Sequence, residues 1–181
     1  MLVILEEKGR GEKPAVTTIS MKQKKWLLVL HLIFSAIMLG TSVVLLILSI
    51  TAATVHEPGV LLACYTSMHV LSETSMRAST IGTIVTGILL SVWTHWGLLK
   101  YYWIIAKEVL TAATILLGPI GIYMWTLRGI ALIDSPNQGA FIANSLYLFI
   151  GIGLQIASLV AMFVISVFKP WGKRGRVPKR A

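Results

Sequence analysis

The side chains that could do chemistry in this sequence are few, and most of them interrupt long apolar runs. The segment HWGLLKYYWIIAKEVL, residues 95–110, sets His95, Lys107 and Glu108 among aromatic and aliphatic residues, and His31 interrupts an earlier run. Ionisable groups inside a membrane are costly to keep, so they mark candidate sites for proton transfer, cofactor ligation or partner binding. Imidazole and ammonium groups together could ligate an iron porphyrin and pair with its charged edge.

A second group of polar residues is spaced for one face of a helix. His69, Glu73 and Arg77 are four residues apart, and in an α-helix this spacing forms a stripe on which Glu73 and Arg77 make a favourable pair. The stripe would face either the bundle interior or solvent at a projecting helix end. Gln155 lies in the middle of the last apolar run, and we expect it to hydrogen-bond to a threonine of residues 80–87. The expected intramembrane polar network consists of Glu73, Glu108 and Gln155.

The composition of the chain is typical of membrane proteins. It has 181 residues, of which 56% are hydrophobic and 13% charged, whereas soluble domains have about 45–50% and about 25%. The net charge is +9, but Lys and Arg gather at the ends of the apolar runs, as topology selection requires. We therefore expect a lipid bilayer as the environment and no nucleic-acid partner. The single cysteine, Cys64, excludes an internal disulfide.

Four apolar runs are long enough to cross a membrane, which takes about 20 residues in a helix. The sequence therefore predicts an all-α integral membrane four-helix bundle. The membrane domain, residues 22–170, lies between a disordered cytoplasmic tail, residues 1–21, and a basic cytoplasmic tail, residues 171–181. The predicted spans are residues 26–50, 60–94, 99–126 and 141–168. Either Met1 or Met21 could be the translation start.

The distribution of Lys and Arg also predicts the orientation. Basic residues precede the first span, follow the last one and include Lys100 between the second and third spans, whereas the opposite loops carry only Arg128 unless Arg77 is counted. Both termini are therefore expected in the cytoplasm, with the chain in the cell inner membrane. Tryptophans at the predicted inner ends agree: Trp26, Trp93, Trp96, Trp103 and Trp171.

The predicted topology brings the first group of polar residues to one depth. His31 lies about 7.5 Å inside the inner boundary at 1.5 Å per residue, close to the depth of Lys107 and Glu108, with His95 at the inner end of the second span. In a bundle these four side chains could share one cytoplasmic pocket. Alternatively each is satisfied separately: His31 bonds a neighbouring helix, Glu108 pairs with His31 or Lys100, and Lys107 and His95 reach the headgroups.

Small residues in three stretches are predicted to allow close helix packing. These are TIGTIVTG at 80–87, GPIG at 118–121 with a kink at Pro119, and GIG at 151–153. The glycine-rich faces could also support a homodimer or contact a partner membrane protein.

The segments WLLVLHLIFSAIMLG, residues 26–40, and WGLLKYYWIIAKEVLTAATILLG, residues 96–118, resemble small bacterial four-span membrane proteins. The resemblance extends to uncharacterised families and, more distantly, to the copper-resistance D-like and membrane protoporphyrinogen-oxidase families. In the last family a histidine early in span 1 and a lysine early in span 3 resemble His31 and Lys107. The members are thought to bind haem b in a helical bundle. Ile105 stands where that family has a histidine before the lysine.

Three functions follow as hypotheses. The first is a haem b-binding or redox-related membrane protein, with His31 the preferred iron ligand and His95 or His69 the second candidate, while Lys107 and Arg77 would pair with the propionates. The second is a non-enzymatic transport or signalling accessory that binds a partner through its polar stripes. The third is a structural membrane protein without a small-molecule site. The sequence contains no HExxH, GxSxG, Walker A or dinucleotide-binding motif, so an enzyme would have to be a membrane haem oxidoreductase.

Overall fold

A computed structural model describes residues 20–93 and 101–171 of the protein. Within those ranges the chain is helical and contains no strand, which confirms the all-α prediction. The four long helices are Met21–Thr54, Pro58–Trp93, Tyr102–Leu132 and Gln138–Phe168. Each is long and apolar enough to cross a membrane. The predicted tails lie outside the described residues, except at their edges next to the membrane domain.

Capping side chains set where two of these helices begin. The Ser20 hydroxyl accepts from the Gln23 backbone N–H at 3.2 Å, and the Gln23 side chain accepts from the Ser20 N–H at 2.9 Å. This reciprocal capping box starts the first helix at Met21, so the basic residues before the first predicted span are helical. The side chain of Asn137 accepts from the Ala140 N–H and caps the fourth helix in the same way.

The second and third helices each contain a π-helical segment. These are Ser72–Met76 and Leu116–Ile122. The second one surrounds Pro119, which has no N–H to donate to the preceding turn, so the helix widens there. The π segment thus lies where the sequence predicts a kink at Pro119. The two segments pack against each other, with Gly118 against the Met76 side chain.

Glycines let the helices approach within the chain. A Cβ added to Gly82 would lie 2.6 Å from the Phe34 ring, and one on Gly87 would lie 3.4 Å from His31. Gly118 and Gly151 are likewise covered by side chains of this chain. The faces expected to support a homodimer are therefore largely occupied by packing within one copy.

The hydrophobic core occupies one half of the bundle. Its fully buried members come from all four helices: Leu45, Tyr65, Met68, Met76, Ile122, Leu148 and Ile152. They lie from the middle of the helices towards the loops at 55–57 and 133–137. The other half, which contains the first turns of the first helix and the last turns of the fourth, is less tightly filled and holds a cavity.

Candidate functional site

A cavity of about 460 Å³ opens between the helices in that less tightly filled half. Its lining on the first helix runs from Leu28 to Met38, a depth of about 15 Å at 1.5 Å per residue. The other walls come from the end of the second helix, the start of the third and the end of the fourth. The walls are mainly apolar with a few polar groups, as in pockets that bind small molecules, which measure about 300–1,000 Å³.

The structure brings three of the predicted site residues to this cavity. His31 lines it from the first helix, and Lys107 and Glu108 line it from the third. They meet because the first turns of the third helix lie beside the first turns of the first helix across the cavity. His95, the fourth residue expected there, lies outside the described residues.

The ring of His31 is held in one orientation by Thr86. His31 Nδ1 lies 2.9 Å from the Thr86 hydroxyl oxygen, and the same oxygen lies 2.6 Å from the Gly82 carbonyl. The backbone of Thr83 also hydrogen-bonds to the ring, so two threonines of the second helix hold the imidazole beside the cavity. A hydrogen bond from the other ring nitrogen is how proteins orient a ligating histidine.

Polar atoms without a protein partner lie in the same cavity. Glu108 Oε1 and Thr83 Oγ1 are buried and have no hydrogen-bond partner among residues 20–93 and 101–171, and both residues line the cavity. Burying such atoms unpaired costs about 1–3 kcal/mol each. The expected pairing of Glu108 with His31 is therefore not found in the described part of the chain. The cavity offers an acceptor, a hydroxyl and the Lys107 ammonium group to an occupant.

His69 and Arg77 belong to a separate cluster around Tyr123. The His69 ring centroid is 4.9 Å from that of Tyr123, and the Arg77 guanidinium carbon is 4.9 Å from the Tyr123 centroid. His69 Nδ1 also lies 3.2 Å from the Thr126 hydroxyl, which donates to the Tyr123 carbonyl. Neither His69 nor Arg77 lines the cavity of His31, so the structure divides the residues expected to bind one haem between two places.

Glu73 does not share a face with its two predicted neighbours. His69 and Arg77 both turn towards Tyr123, whereas Glu73 is exposed on the outer surface of the bundle. The reason is the π segment Ser72–Met76, because the angle between residues four apart differs from that in an α-helix. Arg77 packs on Tyr123 instead of pairing with Glu73.

Gln155 is fully buried in the middle of the fourth helix. Neither its Nε2 nor its Oε1 has a hydrogen-bond partner in the described residues, so the expected bond to a threonine of 80–87 is absent there. Gln155 packs instead against the third helix, where a Cβ on Gly118 would lie 3.1 Å from its Nε2. Glu73, Glu108 and Gln155 are thus three separate sites.

Several residues of the site had no signal in the sequence. Thr86 and Thr126 orient the two histidines, and Met38 and Met162 line the floor and wall of the cavity. Threonine and methionine are common in apolar helices. Only the rotation of neighbouring helices determines which threonine contacts a histidine and which methionine faces the cavity. Among the described residues, no group of three or more His, Cys, Asp or Glu side chains is arranged to hold a metal ion.

Within residues 20–93 and 101–171 the protein is helical, with four helices that could span a membrane and a mainly apolar cavity that holds a few polar groups. No family model matches the chain, and no curated protein or solved structure gives a significant match.

Proposed function

We propose that the chain is a multi-pass protein of the cell inner membrane with both termini in the cytoplasm, and that it binds haem b in the cavity of His31. The orientation is supported by the basic residues around Lys22 and Lys169, which lie at the cavity end of the bundle. The cavity then lies in the cytoplasmic half of the membrane, where haem enters from the cell interior.

The observation that carries the haem proposal is the state of His31. Its Nδ1 is hydrogen-bonded to the Thr86 hydroxyl, and the side chain lines the cavity. Neutral imidazole with one nitrogen bonded to the protein is the form that ligates haem iron. The same His31, together with Lys107, carries the resemblance to the haem-binding family.

The remaining lining fits the other parts of haem b. Lys107 lies in the cavity wall and would pair with a propionate, whereas Arg77 belongs to the Tyr123 cluster and has no part in this site. Met38 and Met162 also line the cavity, where their sulfurs accept hydrogen bonds from the Thr80 and Thr111 hydroxyls. Apolar side chains such as Ile84 would contact the macrocycle. Haem bound in this way would supply one-electron redox chemistry.

The experiment is optical spectroscopy of the detergent-purified protein from cells supplied with haem. We expect a Soret band in the wild type that is lost in His31→Ala and retained in His69→Ala. His69 is a matched control because it makes the same kind of threonine bond outside the cavity. Lys107→Met should weaken haem binding about tenfold or more, the equivalent of about 1.5 kcal/mol for a charged hydrogen bond.

Two results would overturn this proposal. One is a protein that shows no Soret band, oxidised or reduced, after expression with haem and after titration with haemin. The other is a Soret band that His31→Ala leaves unchanged. The thermal unfolding midpoint of each substituted protein must stay close to that of the wild type, so that loss of haem binding is distinguished from loss of the fold.

A further inference from the structure

A groove of about 490 Å³ lies where the first helix begins and the second helix ends. One wall is formed by the first turns of the first helix, with Lys22, Trp26 and Leu30, and the other by Trp93 of the second helix. We call the space lined by these four residues the interfacial groove. It shares no lining residue with the cavity of His31, so it is a separate site.

The wall of the interfacial groove changes from charged to apolar along the first helix. Lys22, Trp26 and Leu30 are four residues apart, so they lie on one face of the helix at steps of about 6 Å along its axis. Trp26 and Leu30 are 62% and 45% exposed, so both are open to lipid. A phospholipid has the same order of groups, because its charged phosphate is followed by the interfacial region, where tryptophan is enriched, and then by the acyl chains.

The charge of the interfacial groove favours an anionic occupant. Lys22 is exposed and makes no ion pair or hydrogen bond with any residue among 20–93 and 101–171. No Asp or Glu of those residues lines the groove. Ser20 and Gln23, which also line it, use their side-chain oxygens in the capping box of the first helix. The ammonium group of Lys22 is therefore the charge that the groove offers to a ligand.

We propose that the interfacial groove binds one anionic phospholipid, with its phosphate at Lys22 and an acyl chain along Trp26 and Leu30. The cytoplasmic leaflet carries a negative surface potential from its anionic lipids, and the proposed orientation places the groove in that leaflet. A soluble phosphate would contact Lys22 but would gain nothing from the apolar part of the wall. This proposal rests on the insertion of the chain in a membrane and does not depend on haem.

Native mass spectrometry of the detergent-purified protein tests the headgroup contact. The probes are phosphatidylglycerol and phosphatidylcholine with identical acyl chains. We expect the wild type to bind phosphatidylglycerol about fivefold more tightly, the equivalent of about 1 kcal/mol for one Lys near an anionic lipid surface. Lys22→Gln should remove this preference and Lys22→Arg should keep it. Lys24→Gln is the matched control, because Lys24 lies about 200° from Lys22 around the helix, does not line the groove and should leave the preference unchanged.

A second measurement tests the apolar part of the groove. Trp26→Ala should weaken the binding of both lipids by about tenfold, as expected for the loss of one large apolar contact. Trp171→Ala is the control, because Trp171 is 49% exposed and does not line the groove. Inorganic phosphate and glycerol phosphate at millimolar concentration should not displace phosphatidylglycerol, because neither has an acyl chain.

Three outcomes would overturn the proposal. The first is equal binding of the two lipids by the wild type. The second is an equal loss of preference in Lys22→Gln and Lys24→Gln, which is the result expected from a general attraction between basic residues and anionic lipids. The third is displacement of the lipid by inorganic phosphate, which would make the groove a site for soluble anions. None of these outcomes bears on haem binding by His31, and the absence of a Soret band would leave the lipid site unchanged.

Discussion

Gln155 and Asn144 are two buried amides on one helix whose replacement should change stability in opposite directions. Both are almost completely buried, at 0% and 3% exposure. Asn144 donates from Nδ2 to the Trp125 carbonyl at 2.9 Å. Neither polar atom of Gln155 has a hydrogen-bond partner among the described residues. Asn144 Oδ1 also has no partner there, so burial leaves the amide of Asn144 one hydrogen bond and the amide of Gln155 none.

The expected magnitudes follow from these contacts. A buried polar group without a partner costs about 1–3 kcal/mol, and methionine has nearly the shape of glutamine. Gln155→Met should therefore raise the free energy of unfolding by about 1–3 kcal/mol. Asn144→Leu keeps the shape but removes the hydrogen bond to the Trp125 carbonyl, and it should lower the free energy of unfolding by about 0.5–1.5 kcal/mol, the net contribution of one hydrogen bond.

Reversible unfolding in mixed detergent micelles, followed by tryptophan fluorescence or circular dichroism, measures both changes. A control, Gln155→Ala, should lower stability because it leaves a cavity. A fall in stability for Gln155→Met, comparable to that for Asn144→Leu, would refute the reasoning. It would mean that Gln155 is satisfied in the membrane by a bound group, so that its amide contributes to stability.

Two further predictions concern packing and orientation. Gly82→Ala should lower the free energy of unfolding by about 1–3 kcal/mol because its Cβ would meet the Phe34 ring at 2.6 Å. The control, Gly40→Ala, has no neighbour within 4 Å and should be neutral or stabilise the helix by up to about 1 kcal/mol. Equal losses of stability for the two variants in unfolding titrations would contradict this prediction. In intact cells an impermeant maleimide should label Asn137→Cys but not Ser20→Cys, each in a background without the native cysteine. Labelling of Ser20→Cys alone would reverse the proposed orientation.

The residues that meet at the cavity could be predicted only in part. His31, Lys107 and Glu108 lie at similar depths in the sequence pattern, and the structure places all three in one cavity. Depth is readable because it follows from counting residues inward from the ends of a span. The rotation of each helix about its own axis cannot be predicted by such counting. This rotation determines that His31 contacts Thr86 and that Arg77 lies against Tyr123.

The sequence by itself determined the four long helices. Apolar runs longer than about 20 residues can cross a membrane, and in lipid their backbone N–H and C=O groups can hydrogen-bond only with each other, which favours a helix. Tertiary structure alone decided which polar groups meet. The π segments Ser72–Met76 and Leu116–Ile122 shift the angles of the residues around them, so Glu73 points out of the bundle although its α-helical spacing placed it with His69 and Arg77. Such shifts depend on how two helices pack against each other, and no local pattern in one helix contains that information.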